Sequence, residues 1–246
     1  MLEYDDMHTA LIEPSQAAAD RLAKRSDVWA VCLLGSAARG DADAKSDIDL
    51  LVLTDAETRP TQLLSELADL GSSDKLSLIV QTRERFSQLT ERGALLAVHV
   101  HEEGRILVDK AGWLRRQLDA TQSTAADPDW TFAWAAREVR RYERIERFND
   151  LYLFALARLY SIGRAVAIAL SVKGGTPAFG KDQPFDAARL AFPDFEPQLG
   201  RLAALRPFFE RAAGGEDVEL PFDHHGAGSV VQVAVDDIKR LVRAAG

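Results

Sequence analysis

The chain has little cysteine and no long apolar run, and each absence excludes a class of protein. Its single cysteine, Cys32, excludes an internal disulfide and a zinc site built from cysteines, and its apolar neighbours predict a buried thiol. Runs of about 18 or more apolar residues are lacking, so the sequence predicts no membrane span. The opening segment, MLEYDDMHTALIEPS, is acidic and lacks the apolar core of a signal peptide, which makes the cytoplasm the expected location.

Basic residues are also in the minority. The 246 residues include 30 Lys and Arg against 38 Asp and Glu, which gives a formal net charge of −8. This balance argues against nucleic acid as a general partner and against an anionic membrane surface, although it leaves room for a local basic pocket. The length allows one large domain or two small ones, with enough residues for a sizeable core.

The stretch from Gly35 to Val52, GSAARGDADAKSDIDLLV, carries the chemistry that stands out. An apolar run of strand character precedes it, and after the Gly-Ser break and ten further residues come Asp47 and Asp49, at the start of a second apolar run. Residues two apart in a strand share a face, so the two carboxylates point the same way and repel each other. A hard cation removes this conflict, and Mg²⁺ takes one or two carboxylates plus substrate phosphates.

The Gly-Ser pair suits a phosphate. Gly35 permits close approach of the backbone, and Ser36 adds a hydroxyl and a free N–H at a helix start, where phosphate binds well. The complete pattern of Gly-Ser, ten residues and Asp-x-Asp resembles the nucleotidyltransferase superfamily, the DNA polymerase beta-like enzymes. The resemblance implies that Gly35 and Ser36 hold the triphosphate and that Asp47 and Asp49 bind Mg²⁺. Further candidates for nucleotide contacts in the same stretch are Arg39 and Ser46.

Strands alternate with helices up to about residue 110. The pattern predicts strands at 28–34, 48–54 and 76–82, helices at 14–26, 60–70 and 84–92, a helical turn at 36–40, a polar loop at 41–46, and a closing hairpin of strands 95–101 and 105–109. This alternation predicts an α/β domain over residues 1–110, and the resemblance implies a mixed sheet.

The remainder has a helical character. A linker helix and a polar loop are predicted at 111–127, before a helical bundle over 128–246. Within the bundle, the sequence predicts continuous helix at 128–170 and further helices at 185–192 and 196–213. The final helix is striped by Val231, Val235, Ile238 and Val242. The fold class is therefore α/β followed by all-α.

Two segments of the helical part extend the resemblance. Residues 146–163 and 180–193 are similar to the second domain of streptomycin/spectinomycin-type adenylyltransferases. In that family a lysine of a Lys-Asp pair meets the nucleotide phosphates, which implies this role for Lys181. The resemblance thus implies a Mg²⁺-dependent enzyme that transfers a nucleoside monophosphate, with ATP as the donor, to a hydroxyl of a small or macromolecular acceptor. An aminoglycoside-like acceptor, and with it antibiotic resistance, suits the acidic net charge.

The chain departs from the family pattern at one position. The family carries a third carboxylate on the next strand, where this chain reads KLSLIVQT and has Ser77. The alternation puts Ser77 on the less apolar face, where such a ligand would lie, but a hydroxyl does not act as a base at neutral pH. Asp74 comes three residues earlier, with the wrong parity for that face. The helical part offers other candidate bases: Glu138, Glu143 and Glu146.

The serine leaves two alternatives to an active transferase. One is a catalytically impaired, nucleotide-binding regulator. The other is the nucleotidyltransferase of a toxin–antitoxin system that modifies a protein or RNA, although residues 128–170 contain no histidine for the motif of the toxin family.

Three further groups have both a functional and a structural interpretation. His99 and His101 would share a strand face and form part of a metal site, or simply face a domain junction. His224 and His225 lie in a Gly-rich loop. Several arginines would make one helix side basic, either over a phosphate or as a salt-bridged solvent face: Arg137, Arg140, Arg141, Arg144 and Arg147.

Overall fold

The computed structural model describes residues 2–42, 46–71, 73–121, 126–215 and 217–245, with side chains from residue 11 onward except at 121. The chain separates into two compact units, Met1–Asp127 and Pro128–Gly246. Parts of two predicted polar loops, residues 43–45 and 122–125, lie outside the described residues.

The N-terminal unit alternates helices and strands. Its helices are α1 (Leu2–Ala23), α2 (Gly35–Arg39), α3 (Pro60–Glu66), α4 (Arg83–Glu91), α5 (Leu95–Glu103) and α6 (Trp113–Thr121). Its strands are β1 (Val28–Leu34), β2 (Ile48–Thr54), β3 (Leu76–Thr82) and β4 (Arg105–Asp109). The first three strands have the predicted bounds.

The four strands form one mixed sheet in the order β3-β2-β1-β4. β1 pairs antiparallel with both β2 and β4, whereas β2 pairs in parallel with β3 through the crossover that contains α3. The expected α/β architecture with a mixed sheet, followed by a helical region, is confirmed.

Each face of the sheet is covered by helices. On one face, Val31, Leu33 and Leu50 pack with Leu22 of α1 and Leu63 of α3. The other face is lined by alternate strand residues and covered by α4, α5 and α6, and its buried members include Cys32, Leu34, Leu51, Leu53, Phe86, Val100 and Leu114. Cys32 is a buried free thiol, as expected, and burial raises its pKa to about 12. Because both faces are buried, the strands read as nearly continuous apolar runs.

The predicted closing hairpin is wrong. Residues 95–103 form helix α5, and only Arg105–Asp109 is a strand, which pairs with β1 instead of with a neighbouring hairpin partner. The alternation of Val98, His99, Val100 and His101 suggested a strand. Ala97, Val98 and Val100 are all buried in the helix, so tertiary packing decides over the local two-residue period.

Helix α1 begins much earlier than predicted, at Leu2, and carries Pro14 inside it rather than in its first turn. Leu11, Ala18 and Leu22 are buried in the same core cluster, and their spacing is that of one helix face. The apolar stripe therefore continues on both sides of the proline.

The C-terminal unit consists of helices. They are α7 (Asp129–Val139), α8 (Leu153–Lys173), α9 (Gln183–Ala191), α10 (Glu196–Ala203), α11 (Arg206–Ala212) and α12 (Gly228–Ala245). α8 is packed against α7, α9, α10, α11 and α12 and forms the centre of the unit. The sequence predicts no membrane span, but α8 is long and apolar enough to cross a membrane by length and composition alone. In the structure, 61% of its most apolar window is buried inside the protein.

The helix predicted over residues 128–170 is interrupted in the structure. After α7 come two 3₁₀ turns, and Asn149 and Asp150 adopt left-handed backbone conformations with φ of 45° and 62°. The Asp150 carbonyl accepts from the Gly226 N–H at 3.2 Å, and the Tyr152 N–H donates to the His224 carbonyl at 3.3 Å. These bonds to the loop before α12 replace the helical ones. The predicted helix at 196–213 is also split, with Pro207 in the first turn of α11.

Ala111 also has a left-handed backbone, with φ of 56°, in the turn between β4 and α6. An L-residue with a Cβ pays about 1–2 kcal/mol for this conformation, which glycine adopts freely. Ala111→Gly is therefore expected to raise the free energy of unfolding by about 1 kcal/mol, measured by urea denaturation. The control is Ala17→Gly, at an exposed position within α1, which should lower it by about 0.5–1 kcal/mol. A loss of stability in Ala111→Gly would contradict this account.

Candidate functional site

The two aspartates lie at the start of β2, next to the last residues of β1 and the first residues of β3. Asp49 pairs with Leu34 of β1 on one side and with Ser77 of β3 on the other. Its neighbours along the strand face, Leu51 and Leu53, belong to the cluster under α4, α5 and α6. Asp49 is half-buried on that face at the edge of the core, and Asp47 is exposed and directly precedes the strand.

The Gly-Ser turn touches the Asp49 carboxylate. Gly35 has a φ of +68°, which turns the chain from β1 into α2. A Cβ placed on Gly35 would lie 2.6 Å from Oδ2 of Asp49, so the backbone of the turn and the carboxylate are packed against each other. Glycine is required here for both its conformation and its lack of a side chain. The sequence motif thus brings Gly35 and Asp49 together in space.

Arg39, at the end of α2, is held by carboxylates. Its Nη1 donates to Oε2 of Glu103 at 2.8 Å, and its Nη2 lies 3.2 Å from Oδ1 of Asp41. Nε2 of His99 lies 3.3 Å from the same Glu103 oxygen. Burial alone would raise the pKa of Glu103, but the interactions with His99 and Arg39 outweigh it and hold this pKa below its usual value. Arg39 is therefore directed towards α5.

The other predicted nucleotide contacts lie in two places. Ser46 is buried, just before Asp47. Lys181 belongs to the C-terminal unit, where it is exposed in the segment before α9, and its carbonyl accepts from the Tyr160 hydroxyl at 3.3 Å.

The candidate third acids also have defined positions. Ser77 is exposed beside Asp49, and the parallel register confirms that the two residues share a face. Asp74 is exposed in a 3₁₀ turn directly before β3. In the helical unit, Glu138 pairs with Arg141 at 3.1 Å, and Glu143 with Lys239 at 2.8 Å.

The histidine predictions are corrected by α5. His99 and His101 are two apart in a helix, where such residues do not face each other. Within the part of the chain that the structure describes, no group of three His, Cys, Asp or Glu side chains could hold a metal ion by itself. The rings of His224 and His225 have centroids 4.5 Å apart in the loop before α12.

The predicted basic helix side is not a single face. α7 ends at Val139, and the arginines from Arg140 onward lie in 3₁₀ turns and the segments between them. The break at residues 140–150 therefore separates side chains that a continuous helix would have aligned.

The contact between Glu103 and Arg39 was not expected from the sequence. The two residues are 64 positions apart in the sequence. Residues 102–104 were interpreted as a hairpin turn, so no local pattern indicated a contact with the Gly-Ser turn.

Residues 16–111 match the family described as Polymerase beta, Nucleotidyltransferase. The N-terminal unit is thus a polymerase beta-like nucleotidyltransferase domain, of a family whose members are generally enzymes that use a divalent metal.

Solved structures were also compared with the chain. The chain is similar to a nucleotidyltransferase-like protein from Exiguobacterium sibiricum 255-15, with 14% sequence identity, a TM-score of 0.40, and coverage of 94% of this chain and 74% of that chain. A comparison with curated proteins gave no significant match.

Proposed function

We propose that this protein is a Mg²⁺-dependent nucleotidyltransferase that moves a nucleoside monophosphate, AMP from ATP, to a hydroxyl of an acceptor. The observation that carries the proposal is the contact between the Gly35 backbone and Oδ2 of Asp49. It places a turn suited to phosphate next to a carboxylate suited to a cation. A nucleoside triphosphate with its metal needs both at one point.

The donor set fits a hard cation. Asp47 and Asp49 offer carboxylate oxygens, which are ligands that Mg²⁺ prefers, and Asp49 is fixed by the strand pairing on both sides. Since no third carboxylate or histidine joins them among the described residues, phosphate oxygens of the nucleotide and water would complete the shell. When bound, the cation neutralises charge on the phosphates.

The chain itself supplies orientation. In our proposal, the backbone at Gly35 and the hydroxyl and N–H of Ser36 hold the β- and γ-phosphates, and Ser46 lies close to the metal ligands in sequence. An acceptor hydroxyl oxygen attacks the α-phosphorus, pyrophosphate leaves with the electrons of the broken bond, and the hydroxyl proton passes to water. Positioning and charge stabilisation carry most of such a transfer, so the reaction does not depend on a strong base.

The acceptor and the role of the second unit are proposed on resemblance. Lys181, an exposed residue, would contact the phosphates through its ammonium group. A cationic, aminoglycoside-like acceptor is favoured by the net charge of −8, since an acidic protein attracts cations. A macromolecular hydroxyl, as in a toxin–antitoxin system, remains the alternative acceptor.

Calorimetric titration of ATP into the purified protein, with and without Mg²⁺, tests the site without knowledge of the acceptor. Binding that requires Mg²⁺ is the expected result. Absence of binding to ATP and to the other three common ribonucleoside triphosphates would refute the proposed function. Where binding is found, release of pyrophosphate in the presence of candidate acceptors, starting with aminoglycosides, tests transfer.

Ser77 favours a second candidate, a regulator that binds a nucleotide without transferring it. The residue lies beside Asp49 in register, at the position where a carboxylate would complete the acidic group. A bound nucleotide would then serve as a signal rather than as a substrate.

Ser77→Asp separates the two candidates. If the natural protein is impaired, the added carboxylate should raise turnover by about 10²–10⁴-fold, the range that general-base catalysis contributes. If the natural protein is an active transferase, the change should leave turnover within a few-fold or reduce it, because a third negative charge crowds the first two. Pyrophosphate release is the measurement, and Ser73→Asp, in the 3₁₀ turn before β3, is the control for added charge.

A further inference from the structure

Helix α2 is too short to hold its own geometry. It has five residues, and glycines with positive φ lie at both ends, Gly35 at +68° and Gly40 at +83°. A single helical turn is unstable in isolation, because few hydrogen bonds offset the ordering of its backbone. Contacts of its side chains with the rest of the unit must therefore fix the position of the turn.

Three side chains of α2 provide these contacts. Ala37 is buried in the core cluster beneath α1 and α3, and Ala38 packs against the same cluster while partly exposed. Arg39 reaches the opposite way, to Glu103 at the C-terminal end of α5. The Ala37 contact is small and apolar and does not fix a direction, whereas the ion pair joins two specific atoms.

The Arg39–Glu103 pair is shielded from solvent. Each side chain is only 14% exposed, and the bond is charge-assisted at 2.8 Å. Surface ion pairs contribute little to stability because water screens them, whereas solvent screens a shielded pair much less. The pair therefore constrains α2 more strongly than an exposed contact would.

Glu103 is itself fixed to the sheet. The next residue, Gly104, lies so close to β1 that a Cβ on it would be 2.8 Å from Sγ of Cys32. Arg105 then pairs with Leu33, two residues before Gly35. The end of α5 is thus attached to the same strand that leads into the Gly-Ser turn, and His99 supports Glu103 from one helical turn earlier.

We propose that Glu103 is a positioning residue, which acts through Arg39 to hold the Gly-Ser turn against Asp49 in the geometry that a triphosphate needs. This inference rests on the proposed function. It assigns Arg39 an indirect role, since its guanidinium group is engaged with Glu103 and Asp41. Glu103 touches neither nucleotide nor metal in this scheme.

The test uses Glu103→Gln and Arg39→Met in the full-length chain, alone and combined, with Glu102→Gln as the matched control. Glu102 is the neighbouring carboxylate on the same helix, and its oxygen lies 4.0 Å from His101 rather than near α2. Two quantities are measured: hydrogen exchange of the amides at residues 35–40, and the affinities for Mg²⁺·ATP and for AMP.

Both single variants should accelerate exchange at residues 35–40 by about 10-fold or more, with no change at the centre of β2. Both should weaken Mg²⁺·ATP binding by about 10- to 100-fold, the usual effect of losing a supporting partner, and leave AMP binding within about two-fold. The double variant should lose no more than the larger single loss, since one pair is broken in all three. Glu102→Gln should behave like the wild type.

Three outcomes would overturn the inference. The first is that Glu103→Gln leaves amide exchange and ATP affinity unchanged, and the second is that the affinities for ATP and AMP fall equally. The third is that Arg39→Met loses far more ATP affinity than Glu103→Gln does, which would make Arg39 a direct phosphate contact. If the wild type binds no nucleotide, the proposed function fails, and the exchange measurement alone decides whether Glu103 positions the turn.

Discussion

Asp49→Asn is expected to abolish Mg²⁺-dependent binding of ATP while the protein stays folded. The amide keeps the shape of the carboxylate but loses its charge, so the strand pairing with Leu34 and Ser77 can persist while the cation loses a ligand. The affinity should fall by more than about 100-fold, since loss of a mere supporting partner already costs about 10- to 100-fold. Calorimetric titration of ATP in the presence of Mg²⁺ measures the effect.

The matched control is Asp119→Asn. Asp119 is an exposed aspartate of α6 in the same unit, and its replacement changes the net charge by the same amount. It should bind ATP as the wild type does. If Asp49→Asn retained the affinity of the wild type and its dependence on Mg²⁺, the proposed site would be wrong, whatever the chain does elsewhere.

Gly35→Ala is expected to have the second-largest effect on nucleotide binding, because the added methyl group conflicts both with the backbone conformation and with the Asp49 carboxylate. The left-handed backbone at Gly35 costs an L-residue about 1–2 kcal/mol, which should appear as lost stability in urea denaturation. The new Cβ would also lie 2.6 Å from Oδ2 of Asp49, so the carboxylate or the turn must shift. Such a shift should weaken Mg²⁺·ATP binding by about 100-fold or more, as small displacements of positioning groups do.

Gly175→Ala separates these two effects. Gly175 has a comparable φ of +77°, but a Cβ there would meet no atom of the described residues within 4 Å. It should therefore cost about 1 kcal/mol or slightly more in stability and leave nucleotide affinity unchanged. If Gly35→Ala behaved in the same way, the contact with Asp49 would be irrelevant to binding.

The sequence predicts the sheet better than the helices around it. β1 and β2 are buried on both faces and β3 is partly buried beside them, so their apolar runs are nearly continuous and their ends are marked by polar residues or by Gly35. In contrast, α5 contains a short alternation, Val98 to His101, that fits a strand equally well, and only its packing on the sheet decides the outcome. The interruption at Asn149 and Asp150 depends on bonds to a loop about 75 residues later, which no local window contains.

The same distinction applies to the candidate site. Gly35, Ser36, Asp47 and Asp49 could be proposed from sequence because they lie on adjacent elements, and the structure shows the expected closeness for Gly35 and Asp49. The family resemblance indicated Ser77 as the position of a third ligand, strand alternation predicted its face, and the parallel register of the structure puts it beside Asp49. Glu103 could not be identified, because its contact with Arg39 depends on how α5 and β4 return to β1.

The position of Asp49 on β2 couples the proposed metal site to the packing of the core. Asp49 shares its strand face with Leu51 and Leu53, which lie in the core, while Ile48, Leu50 and Val52 fill the core on the opposite face. A shift of one residue in the pairing register of β2 would turn every side chain of the strand, Asp49 included, to the other face. Such a shift would take the carboxylate away from the turn and bury its charge in the core beneath α1 and α3. Mutations that shift the register of β2 would therefore destabilise the fold as well as remove the carboxylate from the turn. Only a substitution at position 49 changes the site while the strand keeps its register.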